Sequence, residues 1–335
     1  MRKLILLAAV FFAACCAAFS QKVYTSVSDA LNNPSDVTVL DLSGQGLTEI
    51  PSDFSALTNL EVIYLQNNQL TAFPEVLCSL TGLQMIYADG NKIATIPSKI
   101  SDLKKLKVLS LGGNHLTEFP KTVAELDKLE YLNLAANLIP NVEPEITGLN
   151  NLVELDLSYN KITALPAQFG TFPSLEVLLL SGNKISTLQS LAGLKKIAIL
   201  YLDECPLKAM EPVVFTLVTL KRLSMSQCGI SVIPAEITKM TRLTHLLLNG
   251  NNISVMPKAL FSLSGLQELS LASNVIKELP EDVCKLKSLV DLNLCNNRID
   301  EVPICVSSMT LKSIGLSGMG VQMFNTAAND YKVAY

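Results

Sequence analysis

Two His and eight Cys are the side chains of this 335-residue sequence with the most chemistry to offer. A thiol beside an imidazole would be a nucleophile, cysteines at ligand spacing would hold zinc, and paired cysteines would staple the chain. Cys15 and Cys16 fall in an apolar N-terminal run, which leaves Cys78, Cys205, Cys228, Cys284, Cys295 and Cys305. None of their spacings resembles a zinc motif. His115 follows Asn114 in a polar turn and reads as solvated, whereas His245 has Glu268 as an expected neighbour. A His beside a carboxylate can do acid–base work, but neither a nucleophile nor a metal partner accompanies this one. Gly112-Gly113 lacks the following helix with Lys-Ser/Thr that a phosphate loop needs. The sequence therefore points to no enzyme, no metal and no cofactor.

These residues share a register. From Val37 onward one pattern recurs: apolar, two variable, apolar, variable, apolar, two variable, Asn, variable, apolar. It starts at Val37, Leu60, Leu83, Leu106, Leu129, Leu152, Leu175, Ile197, Leu220, Leu243, Leu266, Leu289 and Leu311, every 23 residues except for two steps of 22. The ninth position reads Gln45, Asn68, Asn91, Asn114, Asn137, Asn160, Asn183, Cys205, Cys228, Asn251, Asn274, Asn297 and Met319. The fifteenth is Pro at 51, 74, 97, 120, 166, 234, 257, 280 and 303.

Each position has a physical reading. Leu155 and Leu157 alternate inward from a short strand, while Glu154, Asp156 and Ser158 point out. The Asn side chain can bond the backbone of its own turn and of the neighbouring coil, so stacked units would build a buried ladder. No unit buries its own face, so stability must come from stacking. Cys205 and Cys228 would sit in adjacent rungs within disulfide reach, but stacked rungs rarely meet the torsion a disulfide requires, and they read as buried thiols. Cys284 and Cys305 fall on the return side of successive units, where spacing alone does not decide whether they pair.

A phrase such as Leu152-Val153-Glu154-Leu155-Asp156-Leu157-Ser158-Tyr159-Asn160-Lys161-Ile162 followed by Pro166, repeated thirteenfold over residues 37 to 321, resembles the leucine-rich repeat family. The resemblance implies an α/β solenoid: a horseshoe with a curved parallel β-sheet on the concave face and irregular or short helical returns on the convex face. It also implies tolerance of Cys for Asn in the ladder. The uniform units, without the flanking cysteine clusters of animal and plant extracellular members, are similar to secreted bacterial members and to the Ras-associated scaffold subfamily.

The ends are expected to differ from the repeats. Residues 1–20 read as a signal peptide, with Arg2 and Lys3, an apolar run from Leu4 to Ala14, and small residues in Ala18-Phe19-Ser20 for cleavage before Gln21. The alternative is lipid attachment at Cys15 after Phe12-Ala13-Ala14. Residues 21–36 are expected to cap the first repeat, with Val23 to Leu31 as a short amphipathic helix or turn ended by Asn33-Pro34. Residues 322–335 read as a C-terminal cap or tail. A formal charge of −4 argues against nucleic-acid binding, which needs a concentrated basic face.

What remains for function is the outward side of the strands. Val62, Tyr64, Met85, Tyr87, Asp89, Val108 and Tyr131 form one exposed apolar and Tyr-rich patch, and Leu179, Ile199 and Tyr201 a second. Strand propensity alone would also favour such residues, but a Tyr-rich surface rimmed by acids suits a protein or peptide partner. The expected function is an exported, non-enzymatic binding module. The alternatives are a structural or adhesive envelope protein and an intracellular Ras-type signalling scaffold.

Overall fold

A computed structural model describes residues 22–318. The proposed leader, Cys15, the cleavage site, Met319 and the tail lie outside the described residues.

Among the described residues fourteen strands form one parallel sheet in chain order. They are β1 (Val23–Tyr24), β2 (Val39–Asp41), β3 (Val62–Tyr64), β4 (Met85–Tyr87), β5 (Val108–Ser110), β6 (Tyr131–Asn133) and β7 (Glu154–Asp156). The series continues with β8 (Val177–Leu179), β9 (Ile199–Tyr201), β10 (Arg222–Ser224), β11 (His245–Leu247), β12 (Glu268–Ser270), β13 (Asp291–Asn293) and β14 (Ser313–Gly315). From β2 onward each strand covers repeat positions three to five. In each of these the central residue, such as Leu109 or Leu155, is buried, and one apolar core runs the length of the solenoid.

The returns are 3-10 turns rather than α-helices. Pro51 precedes Ser52–Ala56, and the bonds run three residues back, from Phe54 N–H to the Pro51 carbonyl at 3.1 Å and from Leu57 N–H to the Phe54 carbonyl at 2.9 Å. Five residues between a proline and the next core leucine leave room for this tighter winding and no more. Of the two 22-residue units, the one starting at Leu289 keeps five residues over Ile304–Ser308, whereas the one starting at Leu175 is shorter still, with a turn over Gln189–Leu191 alone. The chain there drops onto the preceding return, and any Cβ on Gly170 would overlap the Ala192 carbonyl. The lost residue belongs to the return, so Val177 still pairs with Ile199 and Leu179 with Tyr201.

The N-terminal cap departs from its expected form. Val23–Tyr24 is a strand that extends the sheet by pairing with Val39–Leu40, and the α-helix (α1) covers Val27–Asn32, followed by a 3-10 turn over Pro34–Asp36. Ser26 Oγ accepts from the Asp29 N–H to start α1. The edge of β2 needs a backbone partner as well as an apolar cover, and the alternation at Val23 and Tyr24 supplies it.

The ladder is formed as expected. Asn91 Oδ1 accepts from the Leu70 N–H at 3.1 Å, and its Nδ2 donates to the Leu65 carbonyl of the previous repeat and the Ala88 carbonyl of its own. Asn68, Asn114, Asn137, Asn160, Asn183, Asn251, Asn274 and Asn297 repeat this pattern, all of them buried. Cys205 and Cys228 are free thiols at the ladder position of adjacent rungs, donating to the carbonyls of Leu180 and Leu202. Burial pushes the Cys228 thiol up to about 12, which keeps it protonated and inert. Cys284 and Cys305, whose pairing spacing left open, form a disulfide between successive returns, with Cα atoms 6.2 Å apart.

One backbone feature is marked by glycine in only some of the repeats. The eighth position takes a left-handed conformation in every repeat, at Gly44, Gly90, Gly113, Gly182, Gly250 and Gly318 but also at Asn67, Ala136, Tyr159, Glu204, Gln227, Ser273 and Asn296. The chain must turn sharply there to bring the ninth residue under the sheet, and the ladder overrides the cost of a side chain in that region.

Candidate functional site

Parallel register sorts the concave face into three rows. The first runs Val62, Met85, Val108, Tyr131, Glu154, Val177, Ile199, Arg222, His245 and Glu268, and the second runs Tyr64, Tyr87, Ser110, Asn133, Asp156, Leu179 and Tyr201. The third, at repeat position seven, holds Gln66, Asp89, Ser158, Asp203 and Asn249. Positions three, five and seven hold the acids Glu154, Glu268 and Asp291, then Asp41 and Asp156, then Asp89 and Asp203. Arg222 is their only Lys or Arg among the described residues.

Register brings the two tyrosines of the N-terminal patch side by side, but not every residue expected there is exposed. Tyr64 and Tyr87 stack with ring centroids 5.1 Å apart and planes at 9°. Parallel strands about 4.8 Å apart impose that spacing on identical positions. Met85 and Tyr131 flank the pair, partly exposed. Val62 and Val108 lie in the row but are only 9% and 3% exposed, so they floor the patch beneath their larger neighbours.

Asp89 does not stand free at the edge of the patch. Its Oδ1 accepts from the Ser110 hydroxyl at 2.7 Å, the Gly112 N–H at 2.9 Å and Asn133 Nδ2 at 3.1 Å. Burial raises its pKa, against the lowering effect of those bonds. Asn133, outward-facing in the sequence and so seemingly dispensable, bonds Ser110 and the Ala135 N–H as well and is part of this network. The arrangement recurs: Asp203 takes the Ser224 hydroxyl and the Ser226 N–H, and Asn249 takes the Ser270 hydroxyl and the Ala272 N–H. Position-seven N–H groups lie outside the strand ladder and need an acceptor. The signal was legible as Asp or Asn at position seven followed by Ser at position five of the next repeat, and sequence reasoning missed it.

The second patch is tied to a charged cluster. Leu179, Ile199 and Tyr201 are partly exposed, and Arg222 Nε donates to the Tyr201 hydroxyl at 3.4 Å. Arg222 Nη2 and His245 Nε2 approach Glu268 Oε2 at 3.9 and 3.7 Å, so the expected His245–Glu268 neighbours meet.

Between the two patches Glu154 and Asp156 share β7. Burial, and next the charge of Asp156, push Glu154 up to about 7. Burial likewise raises Asp156, although its Oδ1 accepts from the Ser158 N–H at 2.9 Å. Tyr131 beside them is raised by burial first and by Glu154 next, so its hydroxyl stays protonated as a hydrogen-bond donor. The Glu154 carboxylate makes no hydrogen bond or ion pair with any described residue.

The leucine-rich repeat family model matches residues 35–93, 96–139, 141–185 and 241–299, more than half of the sequence. The chain belongs to the leucine-rich repeat family. Among solved structures it is similar to a leucine-rich repeat protein of Leptospira interrogans, at 26% identity and a TM-score of 0.70 over 90% of this chain and 95% of that one. It is also similar to the ectodomain of the plant membrane receptor kinase GASSHO1/SCHENGEN3 of Arabidopsis thaliana, solved in complex with Casparian strip integrity factor 2. That match has 28% identity and a TM-score of 0.74, over 90% of this chain and 38% of that one. An internalin of Listeria monocytogenes shares the fold at 24% identity and a TM-score of 0.78, over 88% of this chain and 84% of that one. Comparison with curated protein sequences gives no match. Among the described residues no helix is long and apolar enough to cross a membrane.

Proposed function

We propose that this protein is an exported, non-enzymatic binding module that holds a protein or peptide on its concave face, with the Tyr64–Tyr87 patch as its primary contact. The stacked pair carries the reading. Two stacked, partly exposed aromatic rings beside a row of buried valines offer contact area whose ordering the sheet has already supplied. The plant ectodomain, similar in fold, was solved in complex with Casparian strip integrity factor 2, which supports binding as the use of such a surface. Two features favour export over the cytosolic scaffold alternative: the leader-like residues 1–20 and the Cys284–Cys305 disulfide, a bond that persists in oxidising compartments.

The test is capture by the purified chain from culture or host-cell extract, against a Tyr64→Ala, Tyr87→Ala double variant of unchanged melting temperature. A partner retained by the wild type and lost by the variant is the expected result. Equal capture by both would leave the patch as strand propensity. N-terminal sequencing of the exported form should find Gln21, and a lipid-modified Cys15 would replace simple secretion by membrane anchoring.

A further inference from the structure

The charge of the concave face says what kind of segment fits it. Acids stand in all three rows, and their one guanidinium, Arg222, is already turned to Glu268 and Tyr201. Most of the acids are also occupied: Asp89, Asp156 and Asp203 accept backbone or hydroxyl donors from their neighbours. Glu154 is the exception. Its carboxylate lies at the middle of the face, between Tyr131 and Val177 in its row, with no donor or base for it among the described residues. A half-buried carboxylate among aromatic and aliphatic walls is unfavourable as an anion until a cation reaches it. Tyr131 next to it supplies a ring over which a guanidinium or ammonium can lie.

Resting on the protein-recognition reading above, we propose that the occupant of the concave face is an extended basic segment of a protein or peptide. An Arg or Lys of that segment pairs with Glu154, and apolar or aromatic residues lie on the Tyr64–Tyr87 stack. From β7 to β4 is three strand spacings, about 14 Å, which about four residues of extended chain would span. The partner's cation and its apolar anchor are therefore about four residues apart. A second copy of this chain is the wrong occupant by the same reasoning, since the sequence carries 30 acids against 26 bases and its acidic face would meet another excess of acids.

The experiment is selection of random twelve-residue peptides displayed on phage against the whole chain, followed by affinities of the enriched peptides for wild type and for Glu154→Gln. The variant removes a charge without removing a contact, and an unchanged or higher melting temperature confirms its fold. The expected outcome is enrichment of Lys or Arg about four positions from an aromatic residue. Those peptides should bind Glu154→Gln at least tenfold more weakly and wild type several-fold more weakly at high salt. Enriched peptides that are neutral or acidic, or basic ones that bind both proteins equally, would overturn the basic-segment proposal and leave peptide recognition standing. A selection that enriches nothing, or light scattering that shows the face closed by a second copy, would overturn both.

Discussion

The Tyr159 ring lies across Gly182 of the next repeat, so closely that a Cβ on that glycine would overlap the ring's Cδ1. Both residues occupy the eighth position, and both have positive φ, 54° and 70°. Gly182→Ala should therefore cost both the left-handed strain and the clash, about 2 kcal/mol or more. Ala136→Gly, at φ 52°, should instead stabilise by about 0.5–1 kcal/mol, since relief of the left-handed strain exceeds glycine's added unfolded-state entropy. Chemical denaturation of the two variants measures both, and equal signs would refute this account of the turn.

Asn251 and its chain neighbour Asn252 separate the ladder from the surface. Asn251 is buried with four side-chain bonds to backbone within 3.1 Å, two accepted from the N–H groups of Cys228 and Ile230 and two donated to the carbonyls of Met225 and Leu248. Asn251→Ala should lower stability by roughly 1–3 kcal/mol or more, because those groups are left unpaired inside. Asn252 is exposed, and Asn252→Ala should change stability by about 0.5 kcal/mol or less. Thermal melts decide it, and equal losses would count against the ladder.

The acids of β7 predict a stability profile with pH. In the folded chain Glu154 titrates at about 7 rather than near 4.5, chiefly through burial. The folded state thus holds a proton that the unfolded state releases, and stability falls as pH rises from 4.5 to 7. Asp89 and Asp156 are displaced in the same direction. Relative to wild type, Glu154→Gln should gain on the order of 1 kcal/mol at pH 8, discounted for the partial solvation of the group, and close to nothing at pH 4. Melting temperatures of both proteins across pH 4–8 check it, and a constant difference would be the contrary result.

Cys284 and Cys305 tie two neighbouring returns across a sequence separation of 21. Closing a loop of that size should contribute about 3 kcal/mol by the chain-entropy argument. In a solenoid that loss stays local. The Cys284→Ser, Cys305→Ser variant should lose amide protection in β12 to β14 while β3 to β7 exchange as in wild type. Hydrogen exchange resolved along the chain shows which holds, and uniform loss would contradict it.

Much of this architecture was legible because the repeat makes each position report thirteen times. Strand, core and ladder residues such as Leu155 and Asn160 follow from period and polarity alone. What the sequence hid were relations between repeats and ends without periodicity. Val23–Tyr24 is a strand only because β2 offers an edge, and Asp89 is spent on Ser110, Gly112 and Asn133, one and two repeats along. The face residues Tyr64, Tyr87 and Tyr131 could be placed by register, whereas the lack of any counter-cation at Glu154 required the side chains around it.

The shortened return over Gln189–Leu191 leaves the pairing of β8 with β9 untouched. Length variation on the convex side is thus invisible to the face. Duplication or loss of a whole unit would lengthen or shorten the concave surface by one rung while every surviving residue kept its row. Such a surface can be re-addressed by recombination between repeats, with no need to redesign the core beneath it.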